Sequence, residues 1–440
     1  MARIFAAVVL AAVVIAIAAD HAAIATMPAP KPGALAEPKS THQTGFPDQL
    51  YKFSLPPDNP QTPAKIALGK ALFFDPRLSV DDTVACANCH DPDKGFTDQL
   101  PTSMGVHAKF GQRNAPTILD STFNIEQFWD GRRPTLEDQA RDPILNPVEM
   151  GMPDQATVVK KINSIPEYQQ GFMAVFHRAP DYDDLVRAIA AYERTLIAFD
   201  SPFDRFMAGD ASALTAQQQR GWAIFNGQGR CMSCHGWNPT RPTFSDDRYH
   251  NIGVSAHSAK FVPHARQALA LLTKGGGGVQ QLDRLAISTN LSELGRFLVT
   301  KQPHDIGAFR TMDLRNLYLT EPYFHDGSQA TIWDTLDHYN KGGVQNPFLD
   351  GGIVPLGLSE QQEDDLAVFL LSLTSEPYMA QAKQEYERQF KNSRTTRPQR
   401  DTAAAMGHIG RNGPGFAGPF GDIGPGQNEM SLNPALLGGD

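Results

Sequence analysis

The sequence of 440 residues contains few cysteines and no excess of positive charge. Its 4 cysteines are too few for a fold held together by disulfides. With 39 lysines and arginines against 48 aspartates and glutamates, the net charge is −9, which argues against a nucleic-acid-binding protein with a broad basic face. The chain is 41% hydrophobic, which excludes wholesale disorder, and after the N-terminal segment no stretch is long and apolar enough to cross a membrane.

All four cysteines lie in two five-residue motifs, Cys86-Ala87-Asn88-Cys89-His90 and Cys231-Met232-Ser233-Cys234-His235. Cys-x-x-Cys-His is the attachment site of a c-type haem, in which both thiols bond to vinyl groups and the histidine ligates the iron. A zinc site does not need a histidine after both motifs, and a redox dithiol needs one motif in a βαβ unit. The sequence therefore predicts two covalently bound haem c cofactors, with His90 and His235 as proximal iron ligands.

The first 25 residues have the features of a secretory signal peptide. A short basic start is followed by an uncharged apolar run, residues 4–19, and then by small residues that suit cleavage. This run of about 16 residues is shorter than the ~20 needed to span a bilayer, although an uncleaved membrane anchor is the alternative. Covalent c-type haem also implies export. We therefore expect a periplasmic protein with no membrane span after removal of the signal peptide, 1–25, and with a linker over 26–47.

The periodic segments of the chain predict helices, and no strand pattern of comparable length occurs. Leu185, Ile189 and Tyr192 lie on one apolar helical face, while Thr215 and Ser359 each begin a capping box. The segments 69–73 and 221–225 are alike, and each precedes one haem motif. The predicted fold class is therefore mainly α, with two cytochrome c-like domains that each carry one covalent haem c, and with long loops.

Composition also suggests where these domains begin and end. We expect the N-terminal haem domain over residues 48–205 and the C-terminal haem domain over 206–391. A run of four glycines marks a flexible point inside an insertion at about 254–292. Residues 392–440 contain many glycines and prolines and no sustained apolar period, which predicts a disordered tail.

Further motifs occur in an order that is typical of one family. They lie at 68–79, 95–98, 113–117, 128–132, 146–150, 314–316 and 322–327. With the two haem motifs, this series over residues 48–375 resembles the bacterial dihaem cytochrome c peroxidase family, which includes MauG, the enzyme that matures methylamine dehydrogenase. The resemblance implies an exported dihaem peroxidase. Such an enzyme reduces hydrogen peroxide to water with electrons from a periplasmic one-electron donor protein, such as a small cytochrome c or a cupredoxin.

The resemblance assigns roles to residues of the N-terminal half. Peroxide would react at the first haem, whose proximal ligand is His90. Gln139 and Glu149 match the family's glutamine and glutamate above that iron, and Trp129 matches the tryptophan between the two haems. Breaking the peroxide O–O bond requires a proton to move from the inner to the outer oxygen, which a carboxylate can relay. A solvated loop carboxylate for Glu149 and a core aromatic for Trp129 remain the alternatives.

Two residues are candidates for the other axial positions of the irons. His107 lies in the loop where the family places a removable distal histidine of the first haem, although the match requires a one-residue gap and an exposed loop histidine is the alternative. The family's peroxidases place a methionine on the second haem, fourteen residues after the histidine that matches His325. Here that position is Tyr339, as in MauG, and a phenolate favours ferric iron whereas a thioether raises the potential. A ligand at Met312 and a packed role for Tyr339 remain open.

Asn114, Thr320 and Pro322 match positions that bind a calcium ion in the family, and oxygen ligands suit this hard cation.

Two other functions remain open. A MauG-like oxidase that modifies residues of a partner protein is favoured by Tyr339, but Gly229 occupies the position of the tryptophan that MauG uses as an electron relay. A non-catalytic dihaem electron carrier would need only two closed, six-coordinate irons. The sequence leaves the oligomeric state undecided, with a homodimer as one option.

Overall fold

In the computed structural model, which describes residues 43–273, 277–288 and 291–408, the chain is mainly helical with one small sheet. The α-helices are Asp48–Ser54 (α1), Pro63–Phe73 (α2), Cys86–Cys89 (α3), Leu136–Leu145 (α4), Gln155–Asn163 (α5), Pro166–Phe176 (α6), Tyr182–Glu193 (α7), Pro202–Met207 (α8), Ala216–Asn226 (α9), Phe261–Thr273 (α10), Gly278–Ser288 (α11), Phe297–Thr300 (α12), Ile332–Asn340 (α13), Glu360–Leu371 (α14) and Met379–His408 (α15). Short 3₁₀ turns occupy Pro76–Leu78, Pro92–Lys94, Val106–Ala108, Ser121–Phe123, Cys231–Ser233, Val254–His257, Ser292–Leu294, Pro303–Asp305, Leu317–Leu319 and Glu376–Tyr378. The strands Tyr249–His250 (β1) and Phe309–Arg310 (β2) pair antiparallel.

Capping side chains fix where the principal helices begin. Thr62 accepts a hydrogen bond from the backbone N–H of Lys65, and Pro63 stands at the first position of α2, where its missing N–H costs nothing. Thr215 and Ser359 form capping boxes at the starts of α9 and α14. The two capping boxes expected from the sequence are therefore confirmed.

A glycine at the same place in each repeat allows two pairs of helices to cross closely. Gly69 lies in α2, and a Cβ atom there would stand 1.8 Å from the carbonyl oxygen of Ala188 in α7. Gly221 lies in α9, and a Cβ atom would stand 2.0 Å from the carbonyl oxygen of Asp365 in α14. Any larger residue would force the helices apart. In each half, the first helix of the crossing pair precedes the haem motif in the chain.

One continuous core joins both halves of the molecule. Buried residues from α2 and α7 pack in the same cluster as residues from α9, α13 and α14. The described residues up to Ser393 accordingly belong to one compact unit, and the second unit begins at Arg394. The boundary between the two haem domains near 205 stays a prediction. Within the described residues, no helix combines the length and the apolar character needed to cross a bilayer.

The predicted insertion at about 254–292 forms a small core of its own. Helices α10 and α11 bury Phe261, Ala265 and Leu282 against one another and against Phe297. The predicted tail begins at 392, but α15 continues to His408, because glycine is scarce before Gly407 and Ala403 to Ala405 favour helix. The signal peptide, most of the predicted linker, residues 274–276 of the insertion and the chain after 408 lie outside the described residues.

Candidate active site

The first haem motif forms one helical turn, α3, and the backbone holds the histidine that follows it. The N–H of His90 donates to the carbonyl oxygen of Cys86 at 2.9 Å, and its ring Nδ1 lies 3.1 Å from the backbone oxygen of Phe96. With Nδ1 occupied in this way, Nε2 is the nitrogen left for an iron. Burial lowers the pKa of His90, which favours the neutral imidazole that ligates metals.

The second motif holds its histidine in the same way. The N–H of His235 donates to the carbonyl oxygen of Cys231 at 2.8 Å, and its Nδ1 lies 2.8 Å from the backbone oxygen of Phe244. Burial lowers the pKa of His235 as well. All four cysteines are free of disulfides. The structure therefore repeats the proximal side of a haem c site in both halves of the chain.

A cavity of about 260 Å³ lies against the second motif. Its walls are mainly apolar, which suits the faces of a porphyrin ring. Cys231, Cys234 and His235 lie on the wall, so this donor set and this lining fit a haem c. The cavity is also lined by the following residues predicted as site residues: Asn114, Trp129, Thr320, Pro322 and Tyr339. The fold thus brings together residues from both halves.

Glu149 lies beside the first haem motif. Burial raises the pKa of the Cys86 and Cys89 thiols, and the charge of Glu149 contributes to both increases. The Glu149 side chain is partly buried, and this burial raises the pKa of its carboxyl, while Arg132 and a 2.7 Å hydrogen bond from Asn146 Nδ2 to its Oε1 act in the opposite direction. A carboxyl with a raised pKa near a redox centre is suited to holding and releasing a proton.

Gln139 and His107 belong to two different elements that border the turn of Glu149. Gln139 is half-buried in α4, the helix whose end leads into the turn that carries Glu149. The loop of His107 packs on the same turn, because the N–H of Val106 donates to the Glu149 carbonyl oxygen at 2.8 Å. The His107 side chain is 58% exposed and its Nδ1 lies 3.4 Å from Asp81. This conformation is that of an exposed loop histidine, and its role as a ligand stays a prediction.

Trp129 connects the N-terminal half to the cavity of the second haem. Its Nε1 donates to the backbone oxygen of Asn114 at 2.9 Å, and its own carbonyl oxygen accepts from the N–H of Arg310 at 2.8 Å. The indole meets the ring of His325 edge-on, with 6.4 Å between ring centroids. Trp129 is therefore held rigidly on the cavity wall, which is compatible with both the electron-path and the packing hypotheses.

Tyr339 lies near the end of α13 and faces the same cavity. Burial raises the pKa of its hydroxyl, and the Cys234 and Cys231 thiols raise it further, which shows that Tyr339 and the second motif are neighbours. Its ring packs edge-on against Phe324 at 6.1 Å. Met312 lines this cavity too. The structure therefore keeps both candidate ligands of the second haem within one site.

The residues predicted to bind calcium also meet here. The N–H of Asn114 donates to the carbonyl oxygen of His325 at 2.8 Å, and its Nδ2 donates to that of Leu100 at 2.9 Å. These bonds leave Asn114 Oδ1 as a potential cation ligand, and Thr320 and Pro322 line the same cavity. An amide oxygen with backbone oxygens fits a hard cation such as calcium.

Sequence reasoning missed two polar features of the second haem cavity. His250 stands between two carboxylates, with Nδ1 2.7 Å from Asp350 and Nε2 3.0 Å from Asp246, and it lies close to Cys234. Arg315 is buried and makes two 2.8 Å hydrogen bonds to Asp204. Only the motif around Arg315 carried a signal in the sequence, because the partners of His250 are brought to it by tertiary folding.

Comparison with known proteins places this architecture in a family. Residues 63–212 match the family model described as di-haem cytochrome c peroxidase. The chain is 36% identical over 329 residues to the methylamine utilization protein MauG of Methylorubrum extorquens, an alignment that covers 73% of this chain and 81% of the relative. It is 37% identical over 332 residues to the cytochrome-c peroxidase IdrP1 of Denitromonas iodatirespirans, covering 73% and 84%.

Solved structures show the same likeness. A MauG-like protein associated with microbial copper homeostasis superposes with a TM-score of 0.60 at 30% identity, over 73% of this chain and 92% of that one. The diheme peroxidase BthA of Burkholderia thailandensis superposes with a TM-score of 0.57 at 25% identity, over 73% and 88%.

Two haem motifs on this fold define a dihaem peroxidase-type oxidoreductase with two haem c cofactors. The chain belongs to the dihaem cytochrome c peroxidase family, in which MauG is also found. The predicted family and the mainly α fold class are thereby confirmed. Membership in a family of enzymes favours catalysis over the hypothesis of a plain electron carrier.

Proposed function

We propose that the protein reduces hydrogen peroxide to water at the haem attached to Cys86 and Cys89, with electrons that enter through the second haem. The observation that carries this proposal is the carboxyl of Glu149, which is partly buried beside the first haem motif and has a raised pKa. The haems, when bound, supply the iron that takes up peroxide and the electrons that reduce it. The chain supplies the proton movements and the positioning.

Glu149 would accept a proton from the inner oxygen of peroxide and return it to the outer oxygen, which leaves as water. The hydrogen bond from Asn146 holds the carboxyl in place and leaves its Oε2 available for the proton. Gln139, with one amide donor group and one acceptor oxygen, would hold peroxide or water by hydrogen bonds. Two electrons and two further protons complete the conversion of peroxide into two waters.

Trp129 would shorten the electron path between the two haems, because it belongs to the N-terminal half and lines the cavity of the second. The electron donor would be a small periplasmic protein such as a cytochrome c or a cupredoxin. A Trp129→Phe variant should lower the turnover number about tenfold and leave the KM for peroxide unchanged. An unchanged turnover number would exclude Trp129 from the electron path.

Calcium, export and location belong to the same proposal. Asn114, Thr320 and Pro322 would hold one calcium ion between the halves, and removing it with a chelator should lower peroxide turnover reversibly.

The two haem attachment motifs support export to the periplasm after removal of residues 1–25. Mass spectrometry of the mature protein would test this, since the expected mass includes two haems and lacks the signal peptide.

The experiment that tests the function is peroxide turnover by the holoprotein with a reduced small cytochrome c as donor. We expect donor oxidation that depends on peroxide and that saturates with both substrates. A holoprotein with both haems attached and no peroxide-dependent donor oxidation would exclude the proposed function.

A second candidate function is a MauG-like oxidation of residues in a partner protein. Tyr339 favours it, because this residue lines the second haem cavity where a phenolate would favour higher oxidation states. Gly229 opposes it, because glycine has no side chain that could relay an electron in place of the tryptophan of MauG. Peroxide consumption with protein oxidation but without donor oxidation would favour this second function.

A further inference from the structure

The C-terminal helix α15 follows the segment that resembles the family, and it packs against a loop that lines the second haem cavity. The loop runs from the turn at Leu317–Leu319 to the start of α13, and it contributes Thr320, Pro322 and His325 to the cavity wall. Near its own start, α15 also contacts the N-terminal half, because Gln381 Nε2 donates to the backbone oxygen of Asp93 at 2.9 Å. Helix α15 therefore contacts the surroundings of both haem motifs.

Gln389 is the centre of this contact and is completely buried. Its Oε1 accepts a hydrogen bond from the N–H of Ile332 at 2.9 Å, and its Nε2 donates to Glu321 Oε2 at 2.8 Å. Both amide atoms lie within hydrogen-bond distance of the Tyr323 hydroxyl, at 3.3 Å and 3.0 Å. The Gln389 amide thus holds the loop at Glu321 and Tyr323, and it also holds the first residue of the helix that carries Tyr339.

Neighbouring residues of α15 reinforce the contact. Arg388 forms an ion pair with Glu321, and the ring of Tyr386 packs against Tyr318 and Trp333, each at 5.5 Å between centroids. The contacts of Tyr386 thus hold both ends of the loop, at Tyr318 and at Trp333. A buried amide with this many satisfied partners fixes a unique arrangement of its surroundings, since any shift leaves polar groups unpaired.

We propose that Gln389 is a positioning residue for the second haem, which sets the distal wall of its cavity through Tyr323 and through the start of α13. This inference rests on the proposed function only for its effect on turnover. Tyr339 lies two helical turns after Ile332, so a displaced helix start moves the candidate axial ligand. The first haem has its own proximal and distal residues and should be unaffected.

The test compares Gln389→Leu with the wild-type holoprotein, and Gln384→Leu serves as the matched control because Gln384 is exposed on the same helix. Low-temperature electron paramagnetic resonance should show altered signals of the second haem in Gln389→Leu, with unaltered signals of the first. The turnover number should fall at least fivefold, and the KM for peroxide should stay within twofold. Gln384→Leu should match the wild type in every measurement.

A Gln389→Leu protein that unfolds more easily but retains wild-type signals of the second haem would show a structural role only and overturn the proposal. If Gln389→Leu yields no holoprotein, Tyr323→Phe decides, since it removes one hydroxyl and keeps the ring. It should shift the second haem signals in the same direction, and wild-type signals would overturn the proposal. If the wild-type protein lacks peroxide turnover, the proposed function is wrong. The electron paramagnetic resonance signals of the second haem in the wild type and in Gln389→Leu would still show whether Gln389 positions that haem.

Discussion

Replacing Glu149 with glutamine separates its chemistry from its packing. The amide has the same size as the carboxyl, and its oxygen can still accept the 2.7 Å hydrogen bond from Asn146. It cannot take up and return a proton, however. A positioned acid–base group contributes roughly 10²–10⁴ to a rate, which corresponds to about 2.7–5.4 kcal/mol of barrier. We therefore expect the turnover number of Glu149→Gln to fall by at least two orders of magnitude with both haems attached.

Although Glu149→Gln should lower the turnover number, it should not lower the stability of the folded protein. Because burial raises the pKa of Glu149, the folded state holds its proton at pH values where the unfolded state has lost it. Stability from this group is present below the ordinary carboxyl pKa and is lost as the pH rises through the raised value. Glutamine does not titrate, so Glu149→Gln should be at least as stable as the wild type at neutral pH. A loss of turnover in this variant would therefore not be caused by unfolding.

The assay is peroxide turnover in the steady state, together with thermal unfolding of each holoprotein. Glu167→Gln is the matched control, since Glu167 is exposed in the first turn of α6 and lies outside the site. The wild-type kcat/KM should rise with pH through a pKa above the ordinary ~4.3 of a glutamate. A Glu149→Gln variant with turnover within threefold of the wild type would refute the role assigned to this carboxyl.

Three further substitutions test the helix crossing, the second haem and the buried ion pair. Gly69→Ala should destabilise the fold by about 1–3 kcal/mol in denaturant unfolding, because its Cβ would overlap the Ala188 carbonyl oxygen, whereas Gly351→Ala, with open space around it, should have no effect. Tyr339→Met should raise the midpoint potential of the second haem in a redox titration, and an unchanged potential would indicate that Tyr339 is not its ligand. Arg315→Met should cost about 3–5 kcal/mol of unfolding free energy, because it leaves Asp204 charged and buried, and a smaller loss would mean that Asp204 takes up a proton instead.

The features that sequence reasoning recovered are local ones. Each haem motif spans five consecutive residues, and the capping boxes at Thr215 and Ser359 span four, so the chain itself brings their groups together. The repeated glycines at 69 and 221 were visible as a pattern, but only the structure shows the crossing helices that require them. Periodicity identified the helices, because an apolar face needs no knowledge of its partner.

The features that it did not recover depend on contacts between distant parts of the chain. Gln389 meets Glu321 across 68 positions, and His250 meets Asp350 across 100, so no short pattern marks either pair. The carbonyl oxygens that fix the two proximal histidines are backbone atoms, which any residue could supply. The sequence does not predict the core of the insertion for a similar reason, since its glycine run alone indicates flexibility.

The reaction proposed for this chain is the two-electron reduction of peroxide, with both haems and with Glu149. The most direct measurement is a titration of the holoprotein, in the presence of a reduced small cytochrome c, with known amounts of hydrogen peroxide. We expect two equivalents of donor oxidised for each peroxide consumed, and loss of this reaction in Glu149→Gln but not in Glu167→Gln. Peroxide consumed without oxidation of the donor, or undiminished turnover in Glu149→Gln, would contradict it.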